Sequence, residues 1–227
     1  MEDSPRSRRS LIIGAGSAVV AVGLAARTVS AQPASTFKPV RHPEDAWLDQ
    51  RPGAHRIFID AATANGAGEA VLYANNLYSA QRSAYPGGAD QDLGVVICLR
   101  HFATAFAFTD AVWTKYGKPL SAILSFTDPK TKEPPSTNLY NKTGYGLTLP
   151  NLGTTIDAVT KRGAYFAVCD TATHFLSNQL AGAIGGDVAT IYKDLAANLI
   201  PNSRFVSAGV MAVTRSQEFG YSLLYAG

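Results

Sequence analysis

Leu93-Gly94-Val95-Val96-Ile97-Cys98-Leu99 is an unbroken apolar run, closed on either side by Asp92 and Arg100. A strand covered on one face alternates apolar with polar residues. A run without alternation therefore fits a strand buried on both faces, the situation of parallel strands flanked by helices. Two further runs read as buried strands, His55–Ala62 (His-Arg-Ile-Phe-Ile-Asp-Ala-Ala) and Ala164–Cys169 (Ala-Tyr-Phe-Ala-Val-Cys), and each leads into a stretch with helical spacing. Strands that alternate with helices imply crossover connections and a mostly parallel sheet with helices on both sides. The expected fold is a three-layer α/β/α domain with a mostly parallel sheet of about five strands.

The remaining elements follow from the same reading. After His55–Ala62, Asn65-Gly66-Ala67-Gly68 is expected to turn the chain, and Glu69–Ser83 to form a helix ended by Pro86-Gly87-Gly88. Beyond Arg100-His101, residues Phe102, Ala105, Phe106, Thr109, Val112, Trp113 and Tyr116 recur at helical spacing until Gly117 and Pro119, where the helix is expected to stop. Lys118–Gly153 carries five prolines and no sustained period, so it reads as a long insertion, either a lid, binding loop or oligomer contact or else a mobile surface excursion. Thr154–Arg162 reads as a short helix before Gly163, and Thr171–Ala181 as the helix after Cys169. Asp187 is a good N-cap for a further helix, Arg204–Ala208 a fourth strand, Met211–Phe219 a last helix and Tyr221–Tyr225 a fifth strand.

The N-terminus is of a different kind. Ser7-Arg8-Arg9-Ser10-Leu11-Ile12 is a twin-arginine pattern, followed by a short apolar stretch to Ala26 and by Val29-Ser30-Ala31 with small residues for cleavage. Residues 1–31 are expected to be a twin-arginine signal peptide that sends the folded protein to the periplasm. Its core is too short and too diluted by glycine for a lasting membrane span. Residues 32–53, rich in proline and polar residues, are expected to form an extended arm anchored by Trp47, ahead of a single domain over 54–227 with the insertion at about 118–153. Removing residues 1–31 takes four basic and two acidic residues from totals of 20 and 17, leaving 16 against 15. So small a net charge offers no basic face for nucleic acid or anionic lipid.

Cys169 is the leading candidate for chemistry. A cysteine at the C-terminal end of a strand and at the start of a helix lies where parallel sheets place ligands and where the helix dipole favours a thiolate. His174, one turn further on, could supply a proton or a positive charge, and Asp170 opposes a thiolate unless its carboxylate caps Thr171–Thr173. Arg100 and His101 end the neighbouring unit and can reach the same rim of the sheet, where an arginine would stabilise an anionic sulfur or an acidic ligand. Alternatively, Cys169 is an inert small hydrophobe at a strand end, and His101 a packing group beside Phe102. The second cysteine, Cys98, falls on a parallel strand, where disulfide geometry is poor. There is no Cys-x-x-Cys, His-Glu-x-x-His, Gly-x-Ser-x-Gly or Walker pattern, and Asn65-Gly66-Ala67-Gly68 lacks the third glycine of a dinucleotide turn. No cofactor and no metal are called for.

Three segments together carry a resemblance: Lys161-Arg162-Gly163-Ala164-Tyr165-Phe166-Ala167-Val168-Cys169, Ile200-Pro201-Asn202-Ser203-Arg204-Phe205-Val206-Ser207-Ala208-Gly209-Val210, and Arg215-Ser216-Gln217-Glu218-Phe219-Gly220-Tyr221. They resemble the C-terminal half of the DsrE/DsrF-like family, in which an Arg-Gly pair precedes a strand ending in cysteine. There a Pro-led strand ending in Ala-Gly follows, and a Gln-Glu-x-Gly-Tyr helix end leads to the last strand. The resemblance extends from His55 to the C-terminus and implies a DsrE-like domain, flavodoxin-like in general architecture, that assembles into oligomers. It also implies that Cys169 stands at the position where some relatives carry sulfur as a persulfide. Two departures are Asp170-Thr171-Ala172-Thr173-His174, in place of a small neutral segment, and the export signal, which removes the chain from cytoplasmic tRNA thiolation.

The resulting expectation is an exported protein that binds or relays sulfur as a persulfide on Cys169, supported by Arg100, His101 and His174. Its partners would be a small sulfur species or another small ligand and further copies of itself. A non-catalytic ligand-binding or assembly module with an inert Cys169 is the alternative. A metal or haem binder using His101 or His174 is the third reading.

Overall fold

The computed structural model describes residues 38–227, so the expected signal peptide and the first residues of the arm lie outside the described residues. Five strands, β1 (His55–Ala61), β2 (Leu93–Leu99), β3 (Tyr165–Cys169), β4 (Ser203–Val206) and β5 (Ser222–Ala226), form one sheet in the order β4-β3-β2-β1-β5, and every pairing is parallel. Six α-helices connect and flank them: α1 (Ala64–Ala84), α2 (Asp110–Leu124), α3 (Ile156–Lys161), α4 (Asp170–Ile184), α5 (Val188–Ala197) and α6 (Gly209–Glu218). The molecule is a three-layer α/β/α domain, and every residue of β2 is buried, as its composition requires.

The two faces of the sheet are unequally covered. From β1 to β4 the chain always steps in the same direction, so right-handed crossovers place α1 to α5 on one face. Ile57, Ile59, Val95, Ile97, Phe166 and Val168 point into that layer, with Val71, Trp113, Leu176 and Leu195 from the helices. The return from β4 to β5 runs the opposite way, and α6 therefore lies on the other face, over Phe58, Val96, Cys98 and Ala167. One helix cannot cover this face. A 3₁₀ turn at Pro43–Leu48 completes it with Trp47 and Leu48, and the Leu48 carbonyl accepts a hydrogen bond from Tyr221 at 2.8 Å. The arm is thus not extended throughout, and Leu48 is a second anchor beside Trp47.

Helix boundaries depart from expectation where tertiary contacts intervene. Thr63 caps α1 by accepting the Gly66 N–H at 2.8 Å, so Asn65–Gly68 is the first helical turn and not a loop. A Cβ on Gly68 would lie 2.6 Å from the Tyr140 ring, so close packing accounts for this glycine without a nucleotide. His101–Ala107 is 3₁₀, and the α2 helix runs through Pro119 to Leu124 instead of stopping at Gly117. The missing N–H of Pro119 weakens one turn, but Trp113, Tyr116, Leu120 and Leu124 are buried along the same helix face and hold it in place.

The insertion at 118–153 is not a detached excursion. Leu139, Tyr140 and Leu149 join the main core. Asn138 Nδ2 donates to the carbonyls of Phe106 and Phe108 at 2.9 and 3.0 Å, and Tyr140 donates to the Ala64 carbonyl at 2.8 Å. Within it, the Asp128 carboxylate accepts from the Lys130 backbone N–H at 2.8 Å and from the Tyr145 hydroxyl at 2.6 Å. Among the described residues no helix is long and apolar enough to cross a membrane.

Candidate functional site

Ligands in open parallel sheets bind outside the carboxyl ends of adjacent strands whose outgoing connections diverge to opposite faces. Here those strands are β3, followed by α4 on the crowded face, and β4, followed by α6 on the thin one. Cys169 is the last residue of β3 and stands at that divergence. Its sulfur is the N-cap of α4, accepting the Ala172 N–H at 3.4 Å. It also accepts the N–H of Gly209, the first residue of α6, at 3.2 Å. Two helix N-termini therefore meet at one sulfur, and the partial positive ends of both helices are directed at it. The Ser207 carbonyl holds the two helix starts together, accepting from Thr171 N at 3.2 Å and Thr171 Oγ1 at 2.8 Å.

A pocket of about 270 Å³ opens over this point, lined among others by Cys169, Arg100, His101, Thr171, Phe175 and Val210. The cysteine is 6 % exposed, while Phe175 and Val210 are exposed and give the mouth an apolar rim. Arg100 follows β2 and makes a bidentate pair with Asp60 of β1, Nε to Oδ1 at 2.6 Å and Nη2 to Oδ2 at 2.9 Å. That carboxylate holds the guanidinium above its ordinary value and fixes its position. His101 has a left-handed backbone, φ +52°, and its exposed ring stacks on Phe102 at 4.1 Å.

His174, expected beside the thiol, lies on another side of α4. Thr171 and Phe175 share the pocket side of the helix, whereas Asp170 and His174, four residues apart, face α5. The His174 ring stacks on Tyr192 at 4.1 Å, with Nε2 3.7 Å from Asp170, and Asp170 accepts the Tyr192 hydroxyl at 2.7 Å. Asp170 is therefore engaged with α5, and the side chain that caps α4 is the Cys169 sulfur.

Both cysteines are free. Cys98 pairs in register with Ala167, two residues before Cys169, so the thiols are diagonal neighbours on one face. A rise of about 3.3 Å per residue and a strand spacing of about 4.8 Å put such Cα atoms roughly 8 Å apart, beyond the usual Cα separation of a disulfide, roughly 4.4–6.8 Å. Cys98 is fully buried beside Asp60, and both burial and the carboxylate push its thiol well up. Its Sγ contacts the Gly209 carbonyl at 3.9 Å as a donor.

Two site residues, Asp60 and Gly209, escape sequence reasoning, although Asp60 carries a signal as the one charge in the apolar end of β1. A larger surface depression lined by Arg82, Asp90 and Arg162 has its charges already paired, at 2.7 Å from Arg82 and 3.0 Å from Arg162 to Asp90. Among the described residues no three His, Cys, Asp or Glu side chains come together as metal ligands. In comparisons with known proteins, no family model, no curated protein and no solved structure matches this chain.

Proposed function

We propose that this protein relays sulfur as a persulfide on Cys169. The observation that supports it most is the sulfur at the β3/β4 divergence, held by the N–H groups of two helices beneath an open pocket. In the first step the Cys169 thiolate attacks the outer sulfur of a donor such as thiosulfate. The Sγ–S bond forms, the donor S–S bond breaks, and sulfite leaves with the electron pair. An acceptor thiolate then attacks the outer sulfur and releases the Cys169 thiolate, with no net oxidation. Arg100 would orient the anionic donor through the guanidinium N–H groups that Asp60 leaves free, His101 would serve at the pocket mouth, and His174 is assigned to the α4–α5 contact. We place this activity in the periplasm on the twin-arginine pattern of residues 8 and 9. Mass spectrometry after incubation with thiosulfate or polysulfide tests the reading. A one-sulfur increment on the Cys169 peptide, absent from Cys169→Ser, is expected; its absence from the wild-type protein sinks the proposal.

The second reading is an assembly module, favoured by the edge strand β5, which pairs only with β1 among the described residues. In β5, Leu223, Leu224 and Tyr225 are exposed, and no charge or proline interrupts Ser222–Ala226. Natural edge strands usually carry such guards. Self-association through β5 would be lost in Leu224→Lys, as sedimentation velocity would show, and persistence of the oligomer would exclude this edge.

A further inference from the structure

Gly209 touches two residues that line the pocket, Cys169 and Arg100, and the buried Cys98 beneath them. Its N–H donates to Cys169 Sγ at 3.2 Å, and its carbonyl accepts from Cys98 Sγ at 3.9 Å. A Cβ on Gly209 would lie 2.4 Å from Arg100 Cβ, 3.0 Å from its Cδ and 3.2 Å from its Cγ. The nearest of these atoms is the root of a side chain, fixed to the backbone that leaves β2, and the far end of that side chain is clamped by Asp60. Neither end of Arg100 can swing away. Any side chain at position 209 must therefore lift the start of α6 from the sheet, and the N–H leaves the sulfur with it.

We propose that Gly209 is the positioning residue for the Cys169 sulfur, and that Cys98 is a non-reacting thiol that holds Gly209 from its carbonyl side. This rests on the reading of Cys169 as the working thiol. It gives the two cysteines different roles. One sulfur accepts a hydrogen bond from Gly209 and the other donates to it. Burial keeps the Cys98 proton in place, which the donor role requires.

The test is the rate of Cys169 alkylation by iodoacetamide, read by peptide mass spectrometry in the wild-type protein, Gly209→Ala, Arg100→Gly and the double variant. Hydrogen bonds to charged groups are worth enough that Gly209→Ala should slow alkylation about tenfold at neutral pH. Its rate profile should also move to higher pH, a change that loss of packing alone would not produce. In the Arg100→Gly background the clash is gone, and Gly209→Ala should change the rate by less than about twofold. A wild-type rate in folded Gly209→Ala overturns the proposal, and so does a tenfold loss that persists without Arg100. Should Gly209→Ala fail to fold, amide exchange decides. The Gly209 N–H should be protected in the wild-type protein and exchange faster in Cys169→Ala, and equal exchange overturns the proposal. If Cys169 takes up no sulfur yet these orders hold, the sulfur reading alone falls. If sulfur uptake survives while they fail, only the role of Gly209 falls.

Discussion

Removal of the Asp60 carboxylate should leave the half-buried Arg100 guanidinium without a counter-charge. The Asp60 side chain is 8 % exposed and that of Arg100 23 %, and the two bonds between them are 2.6 and 2.9 Å long. Two unit charges about 4 Å apart attract by about 4 kcal/mol at the effective dielectric of about 20 that suits protein sites. Breaking a buried pair on one side costs about 3–5 kcal/mol, because the remaining charge loses its partner without regaining water. Arg100 is partly wetted, so Asp60→Ala should fall at the lower end, near 3 kcal/mol. That is a large part of a total stability of about 5–15 kcal/mol. Urea unfolding followed by tryptophan fluorescence measures it, with an unchanged slope as the check that the native state is intact. The double replacement Asp60→Val with Arg100→Met exchanges both charges for apolar volume and should recover most of the loss. A cost below about 1 kcal/mol for Asp60→Ala, typical of an exposed pair, would refute the reasoning. So would a double variant as unstable as the single one.

Three other outcomes follow from the same geometry. Tyr140→Ala, which empties a fully buried site against Phe106 and Phe126, should lose about 3–5 kcal/mol in urea unfolding. Tyr140→Phe, which removes only the bond to the Ala64 carbonyl, should lose about 1 kcal/mol; equal small losses would mean that the insertion is not part of the core. The Asp90 carboxyl is held below its ordinary value mainly by its bond to Arg162, with Arg82 assisting and burial opposing. A depressed folded value adds stability that is complete above the unfolded value of about 4 and disappears as pH falls through the folded one. The wild-type protein should therefore lose stability more steeply than Asp90→Asn in thermal melts below about pH 4, and parallel curves would contradict the assignment. Brief alkylation of the native protein should modify Cys169, which lines the pocket, and spare Cys98, which is 0 % exposed, until urea is added. Equal labelling under native conditions would show that the sheet opens there.

Several elements were legible because their signal is local. The apolar run of β2, the strand ending in Cys169 and the N-cap at Asp187, which accepts the Thr190 N–H at 2.8 Å, depend on residues that are neighbours in sequence. The alternation of such elements was enough for a parallel three-layer fold. It also brought Cys169, Arg100 and His101 to one rim, since all three stand at or just beyond strand ends. Continuation of α2 through Pro119 was not legible, because burial of its apolar face outweighs a local stop signal. Nor was the packing of Leu139 and Tyr140, whose partners Phe106 and Ala64 lie far back along the chain.

The sequence by itself determined the layer architecture of the described domain and the cysteine worth watching. Only the tertiary structure decided what surrounds that cysteine. Helical rotation sent His174 toward Tyr192 instead of the sulfur. The reversal of strand order after β4 carried α6 to the opposite face, so that Gly209, forty residues from Cys169 in the chain, meets its sulfur. Periodicity reports which residues share a side of one element. The direction in which a crossover returns, and hence which two helix ends converge, is set by how the whole sheet is ordered.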